Sequence, residues 1–463
     1  MRDSLVFKKY FYNKDKIDFG NLLFEDKALI RLLIPLIFEQ LLNSLMGMVD
    51  TVMVSNVGSV AISAVSLVDS INILIIQVFA ALATGGTIVC SQYIGHGDKK
   101  AANKAAGQVV LTILVLSGTI MTICLTMRRP LLSLIFGQVE DAVMRDALTY
   151  FLITAISFPF FSLFQAGSAF FRAGGNSKYP MLISVSGNMI NIIGNAILIF
   201  GFKMGVMGAA LATLISRFFC FAVVFYSLRK PKQEIVIRSI SQLKPDFGVI
   251  KKVLSIGVPS GVENGMFQFG KLAIQSSVST LATAAIAAQA MTIIFETLNS
   301  VAGLGIGIAL MTVIGQSLGA GRTEEARYYM WKLTKYAHVG ILICCLIVLA
   351  ITKPVLIIAA MEPESAALCF SMVVVITIFK PLFWPMSFVP AYGLRAAGDV
   401  KFSMIVGTTT MWVFRVLICI YLIRVRGFGP IAVWIGMITD WAVRSVAFFI
   451  RLVRGKWLRH RVI

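Results

Sequence analysis

The chain has 463 residues, 58% of them hydrophobic and only 14% charged, with a formal net charge of +20. This composition excludes a soluble globular core and describes a polytopic membrane protein. In a soluble chain the basic excess would suggest nucleic acid. Here it falls mainly in alternate loops, as the positive-inside rule requires, so no nucleic-acid partner is expected.

Residues 1–28 form a polar, basic lead-in without the short apolar core of a cleavable signal peptide. Apolar runs long enough to span a bilayer follow at about 29–54, 60–94, 106–127, 145–171, 178–200 and 205–228. A polar linker, 229–252, separates these from six more at about 253–279, 284–318, 329–352, 366–393, 402–424 and 430–453, and a basic tail occupies 454–463. The pattern predicts an all-α polytopic membrane protein of twelve transmembrane helices, with an N-lobe over 29–228 and a C-lobe over 253–453. Lys99, Lys100, Lys104, Arg172, Lys178, the linker, Arg322, Arg327, Lys332, Arg395 and Lys401 fall on the same side as both chain ends. The opposite loops carry fewer bases, so both termini are expected in the cytoplasm, with the protein in the plasma membrane. Seven cysteines lie in apolar segments without CxxC spacing and read as small core residues.

The first span carries Glu39, Asn43 and Asp50, and spacings of four and seven place them on one helix face. A carboxylate at mid-membrane costs roughly 2.5–3.5 kcal/mol even on the lenient insertion scale. Two on one face imply a water-lined interior that binds or releases a cation, with a helix–helix salt bridge or hydrogen bond as the alternative. The seventh span carries Glu263 and, two turns later, Lys271; Asp69 and Glu296 lie in the second and eighth. A Lys271–Glu296 or Lys271–Glu263 pair would neutralise charge, and otherwise these four residues would line a substrate cavity. Arg415, Asp440 and Arg444 read as structural ion pairs.

The chain also repeats itself. One constant offset aligns Pro35 with Pro259, Glu39 with Glu263, and SQYIGHGDKKAA (91–102) with GQSLGAGRTEEA (315–326). An offset shorter by one aligns FRAGGNSKY (171–179) with LRAAGDVKF (394–402). Six crossings per repeat return the chain to its starting side, so two pseudo-twofold-related six-helix lobes are expected, with a cavity between them. On that arrangement Glu39 and Glu263 would flank the cavity from opposing lobes. The GHGD and GAGR loops suit tight turns with positive φ.

MVDTVMVSNVGSVAISAVS (48–66), QYIGHGD (92–98), FRAGGNSKYP (171–180), MGVMGAALATLISR (204–217) and GQSLGAG (315–321) resemble the multidrug and toxic compound extrusion (MATE) family, in order and across nearly the whole chain. The resemblance implies an antiporter that exports organic cations or drugs in exchange for H⁺ or Na⁺, by alternating access of two lobes and without a cofactor. The family's first-helix acid sits in a VDT triplet, which here is Asp50, and its bend-forming proline matches Pro35. The fifth-helix N-x-x-x-D becomes Asn191-Ile-Ile-Gly-Asn195, so the coupling set is Asp50, Asn191, Asn195 and Glu39, with Na⁺ held at the first three if sodium is the ion. Relatives with a second cation site place acids where this chain has Phe267 and Trp384.

The sequence contains no GxxxxGK[ST] loop and no DDxxD run, so neither a nucleotide-driven pump nor a diphosphate-handling membrane enzyme is indicated. The expectation is a monomeric, non-enzymatic carrier for small amphipathic or cationic substrates. The alternative is a lipid-linked or specific-metabolite exporter (flippase) of the same wider superfamily, which a basic cavity lining would favour.

Overall fold

The computed structural model describes residues 11–137, 140–238, 240–460 and 462–463, and among them there is no β-strand. The first part of the expected lead-in, 1–10, and Arg461 of the expected tail lie outside the described residues. Helix is the only local structure that satisfies every backbone N–H and C=O within a single apolar segment, and each predicted span adopts it. In chain order the helices are α1 (Asp26–Ser55), α2 (Ser59–Gly95), α3 (Lys99–Thr126), α4 (Arg128–Phe136), α5 (Asp141–Ile156), α6 (Phe158–Ala173), α7 (Lys178–Asn195) and α8 (Gly205–Leu228). They continue as α9 (Phe247–Val278), α10 (Thr283–Gly319), α11 (Thr323–Ile358), α12 (Pro363–Ala396), α13 (Val400–Thr409), α14 (Leu417–Arg424) and α15 (Ile431–Val453).

Among the described residues, ten helices are long and apolar enough to cross a membrane, or eleven with the bent pair α5–α6 counted as one span. The remaining expected span exists as α9, but Lys251, Lys252, Glu263 and Lys271 leave it more polar than the rest. The α5–α6 span bends by 42° at Ser157. Pro159 sits in the first turn of α6, where it can donate no backbone hydrogen bond back to α5. Two wide-turn π segments interrupt regular helix, Ala196–Gly201 after α7 and Thr410–Val416 between α13 and α14. The repeat shows in the turns: Gly97 and its mate Gly321 have φ of 80° and 73°, a conformation that glycine adopts without Cβ strain. Asp98 then caps α3, its carboxylate accepting from Ala101 N at 2.9 Å.

The chain folds as two compact units, Leu42–Gly261 and Met1–Leu41 with Val262–Ile463. These differ from the halves expected at 29–228 and 253–453, because α1 and α9 each contribute one end to each unit. The packing that does this obeys the repeat. In one unit a Cβ on Gly305 would meet the Ile37 backbone at 2.8 Å, so α10 and α1 approach closely there. Advancing Ile37 and stepping back Gly305 by the offset that relates Pro35 to Pro259 gives Gly261 and Ala81. In the other unit a Cβ on Gly261 would indeed lie 3.6 Å from that of Ala81. Small residues at these crossings allow the backbone approach that drives helix association in lipid.

The linker belongs to the Leu42–Gly261 unit. Gln108 Nε2 donates to the carbonyls of Gln242 and Lys244 at 3.1 and 2.8 Å, and Gln108 Oε1 accepts from Asp246 N at 2.8 Å. Lys104 lies 2.5 Å from Asp246 and holds that exposed carboxyl below its ordinary range. In the other unit the lead-in is tied to the start of α11. Leu23 N donates to Glu325, Phe24 N donates to the Tyr329 hydroxyl, and Arg322 donates to the Asn21 carbonyl.

Candidate functional site

Within the Leu42–Gly261 unit, α1, α2, α5, α7 and α8 enclose a cavity of about 190 Å³ lined by Asp50, Asp69, Tyr150, Asn195 and Thr213. Asn195 Nδ2 donates to Asp50 Oδ1 at 2.9 Å. Asn191 lies one turn earlier on α7. With its amide oxygen toward Thr213 Oγ1 at 3.2 Å, its nitrogen donates to Asp50 Oδ1 at 2.7 Å. The four-residue spacing of the two amides puts both on one face of α7. Asp69 accepts from Asn72 Nδ2 at 3.1 Å and from the Tyr150 hydroxyl at 3.3 Å.

Arg217 supplies a countercharge to both carboxylates. It is fixed by a 2.7 Å donation to Ser157 Oγ and by stacking over Phe161, with Cζ 4.9 Å from the ring centre. The bend at Ser157 thus presents the hydroxyl that orients Arg217. Two like charges oppose one another across this small space. A proton or a metal cation entering it relieves that repulsion. At about 190 Å³ the cavity is below the roughly 300–1,000 Å³ typical of drug-sized pockets, so its scale suits an ion with a few waters. No group of three or more His, Cys, Asp and Glu is placed to hold a metal among the described residues. A bound Na⁺ would therefore draw on amide and hydroxyl oxygens beside the two carboxylates.

The structure brings Asp50, Asn191 and Asn195 together and adds Asp69, which the sequence reading assigns to a separate substrate cavity. Tyr150, Thr213 and Arg217 are new to the site. For Arg217 a signal exists: an arginine inside the span 205–228 is by default functional or paired. Asn43 faces Ser184 and Asn188 on α7, at 3.3 and 3.2 Å.

Glu39 is buried but lies in the other unit, outside this cavity. The one-face reading is right only in rotation, because eleven residues of helix are about 16 Å of axial distance. Glu39 and Glu263 also fall in the same unit rather than on opposing ones, since α1 is divided between units at Leu41.

In that unit neither expected partner of Lys271 makes a direct salt bridge to it, although its charge and that of Glu296 interact. Glu263 pairs with Arg395 at 2.7 Å, and Glu296 pairs with Lys380 at 2.6 Å. Asp440 bridges Arg415 and Arg444 at 2.5 and 3.1 Å, the arrangement expected for those three. Lys380 has no role in the sequence reading although it lies inside the span 366–393, and Arg395, expected as loop charge, is mostly buried.

A family model described as MatE matches twice, at residues 35–197 and 259–421. The two matches begin at Pro35 and Pro259, so they are spaced by the offset of the internal repeat. The chain belongs to the MatE family. It is a membrane transporter, not an enzyme.

Across 444 residues, 94% of each chain, it is 28% identical to the probable multidrug resistance protein NorM of Thermotoga maritima. It is 26% identical to the uncharacterized transporter YisQ of Bacillus subtilis, over 93% of this chain and 95% of that one. The mouse multidrug and toxin extrusion protein 2 is 26% identical over 94% of this chain and 75% of its own length. Among solved structures, a MATE transporter in complex with MaL6 superposes with a TM-score of 0.87 at 22% identity, covering 93% of this chain and 96% of that one. An outward-facing MATE family transporter also scores 0.87 at 22% identity, over 93% and 95%. At those identities the structures speak for the fold, and both MatE copies of this chain have it.

Proposed function

We propose that this MatE transporter exports amphipathic drugs, organic cations among them, across the cytoplasmic membrane in exchange for H⁺ or Na⁺, with both termini in the cytoplasm. It works as a monomer by alternating access and needs no nucleotide or cofactor. The observation that carries the coupling is the pair of carboxylates, Asp50 and Asp69, inside one ion-sized cavity with amide donors aimed at Asp50. Relatives named for multidrug resistance, matched over nearly their full length, support drugs as the cargo.

Everted membrane vesicles from cells making the protein test this reading. After respiration has acidified the lumen, a lipophilic cation should discharge the pH gradient if protons are exchanged, and in vesicles preloaded with Na⁺ it should release that Na⁺ from the lumen if sodium is exchanged. Absence of both responses overturns it.

Pro35 interrupts the backbone ladder of α1 fifteen residues before Asp50 and six before the helix passes from one unit to the other. Pro35→Ala restores a donor and stiffens α1. Turnover is expected to fall several-fold with substrate affinity nearly unchanged, read by transport and equilibrium binding on one preparation. Unchanged turnover removes α1 bending from the cycle.

The alternative, a lipid-linked or specific-metabolite exporter, gains one observation. The acids Glu263 and Glu296 are each neutralised by a base, so they do not make their unit a cation trap.

A further inference from the structure

The aromatic ring of Phe267 on α9 is surrounded by three cations. Arg415 Cζ lies 4.8 Å from its centre, Arg444 Cζ 5.6 Å and Lys271 Nζ 5.6 Å. Asp440 is the carboxylate that meets this group, and it binds both arginines. Three cations against one anion leave an excess of two positive charges around one ring. The nearby acids do not correct it, because Glu296 is held by Lys380 and Glu263 by Arg395. Excess charge inside a membrane span is costly unless something answers it.

Two further features point to a ligand. Arg415 is buried at 2% exposure, yet its Nε donates to no acceptor among the described residues, and the same holds for the indole N–H of Trp412 beside it. Both sit in the π segment Thr410–Val416, the kind of helix irregularity that recurs at functional sites. Lys271, by contrast, is exposed and makes no ion pair among the described residues. Its charge interacts with those of Glu296 and Arg415, and its ammonium lies over the Phe267 ring. An aromatic wall adjoins it. Phe267 meets Phe388 edge-on at 6.1 Å, and Phe388 stacks on Trp384 at 4.8 Å.

The repeat locates this cluster. Moving back by the offset that relates Pro35 to Pro259, Lys271 becomes Gly47, which lines the Asp50 cavity. The position that carries a lysine in one repeat therefore borders the two carboxylates in the other.

We propose that the Val262–Ile463 part of the chain contains an anion site, built from Lys271, Arg415 and Arg444 around Phe267, that receives the carboxylate or phosphate of an amphipath while Phe388 and Trp384 accept its apolar body. The proposal rests on the drug-export reading and narrows it: the favoured cargo carries an acidic group, alone or beside a positive one. Guanidinium and ammonium donors give charge-assisted hydrogen bonds to such a group. The aromatic faces hold a flat ring system.

The test uses one cationic xanthene dye in two forms, its ethyl ester and its free acid, with binding to purified protein in neutral detergent followed by fluorescence polarisation. The free acid should bind about tenfold more tightly than the ester, the scale of one added charge-assisted contact. Lys271→Met should abolish the preference and Lys271→Glu should invert it; Lys271 holds no ion pair, so thermal melting should show both variants folded. Equal binding of the two forms by wild type, or a preference that survives Lys271→Met, overturns the site. Phosphatidylglycerol added to the micelles separates two sources of the anion. Displacement of the acid by it but not by phosphatidylcholine assigns the site to a lipid phosphate, and no displacement assigns it to the cargo's carboxylate. Loss of ion coupling with the dye preference intact would refute the export mechanism and leave this site standing.

Discussion

Asp50→Asn should abolish gradient-driven efflux while leaving the protein folded and able to bind cargo. The substitution keeps the shape of the side chain and removes its charge. Asn195 and Asn191, which donate to Asp50 at 2.9 and 2.7 Å, would then face an amide that accepts with one oxygen only. The repulsion between Asp50 and Asp69 also disappears, which offsets part of the lost hydrogen bonding, so thermal stability should change little. Ion-driven transport should fall by roughly two orders of magnitude or more, the scale on which a positioned proton-transfer group contributes. Asp69→Asn leaves Asp50 with its amide partners and should give the smaller defect. Wild-type coupled transport by Asp50→Asn would remove the residue from the mechanism.

Lys380→Met should be the most destabilising single substitution of an interior charge. Lys380 is fully buried and donates to the Glu296 carboxylate at 2.6 Å, the Glu296 carbonyl at 2.8 Å and Ser300 Oγ at 2.7 Å. Removing it strands Glu296, and breaking a buried pair in this way costs about 3–5 kcal/mol. The double substitution Lys380→Met, Glu296→Gln removes both charges and should recover most of that loss, since apolar replacement of a whole buried pair is often near neutral. Thermal unfolding in detergent reads both. A single variant as stable as wild type, or a double no better than the single, would mean that the pair does not hold this region together.

The helices were legible because lipid permits so little else. Long apolar runs, alternate basic loops and the internal repeat located every span and its turns, down to Gly97 and Gly321. What the sequence hid was helix breakage and helix sharing. Pro159 bends the fourth span within an otherwise continuous apolar run, and the division of α1 at Leu41 depends on close packing at Ile37 and Gly305, which no periodicity encodes.

The candidate site divides in the same way. Asp50 and the Asn191/Asn195 pair could be found from spacing and resemblance, because each lies on one face of one helix. Asp69, Tyr150 and Arg217 join them only through contacts between helices far apart in sequence, which single-helix patterns do not carry. Proximity along the helix suggests Glu263 as a partner for Lys271. Eight residues of helix rotate the lysine by about 80° to another face, and both Glu263 and Glu296 found bases on α12 instead.

Purified protein in liposomes, with a pH gradient and a Na⁺ gradient imposed separately, tests the ion coupling at the Asp50–Asp69 cavity most directly. The account predicts that at least one gradient drives a lipophilic dye against its own concentration, that collapsing that gradient with an ionophore stops it, and that Asp50→Asn is inert under the same gradient. Dye movement that only follows its own concentration, equal in wild type and Asp50→Asn under either gradient, would contradict it.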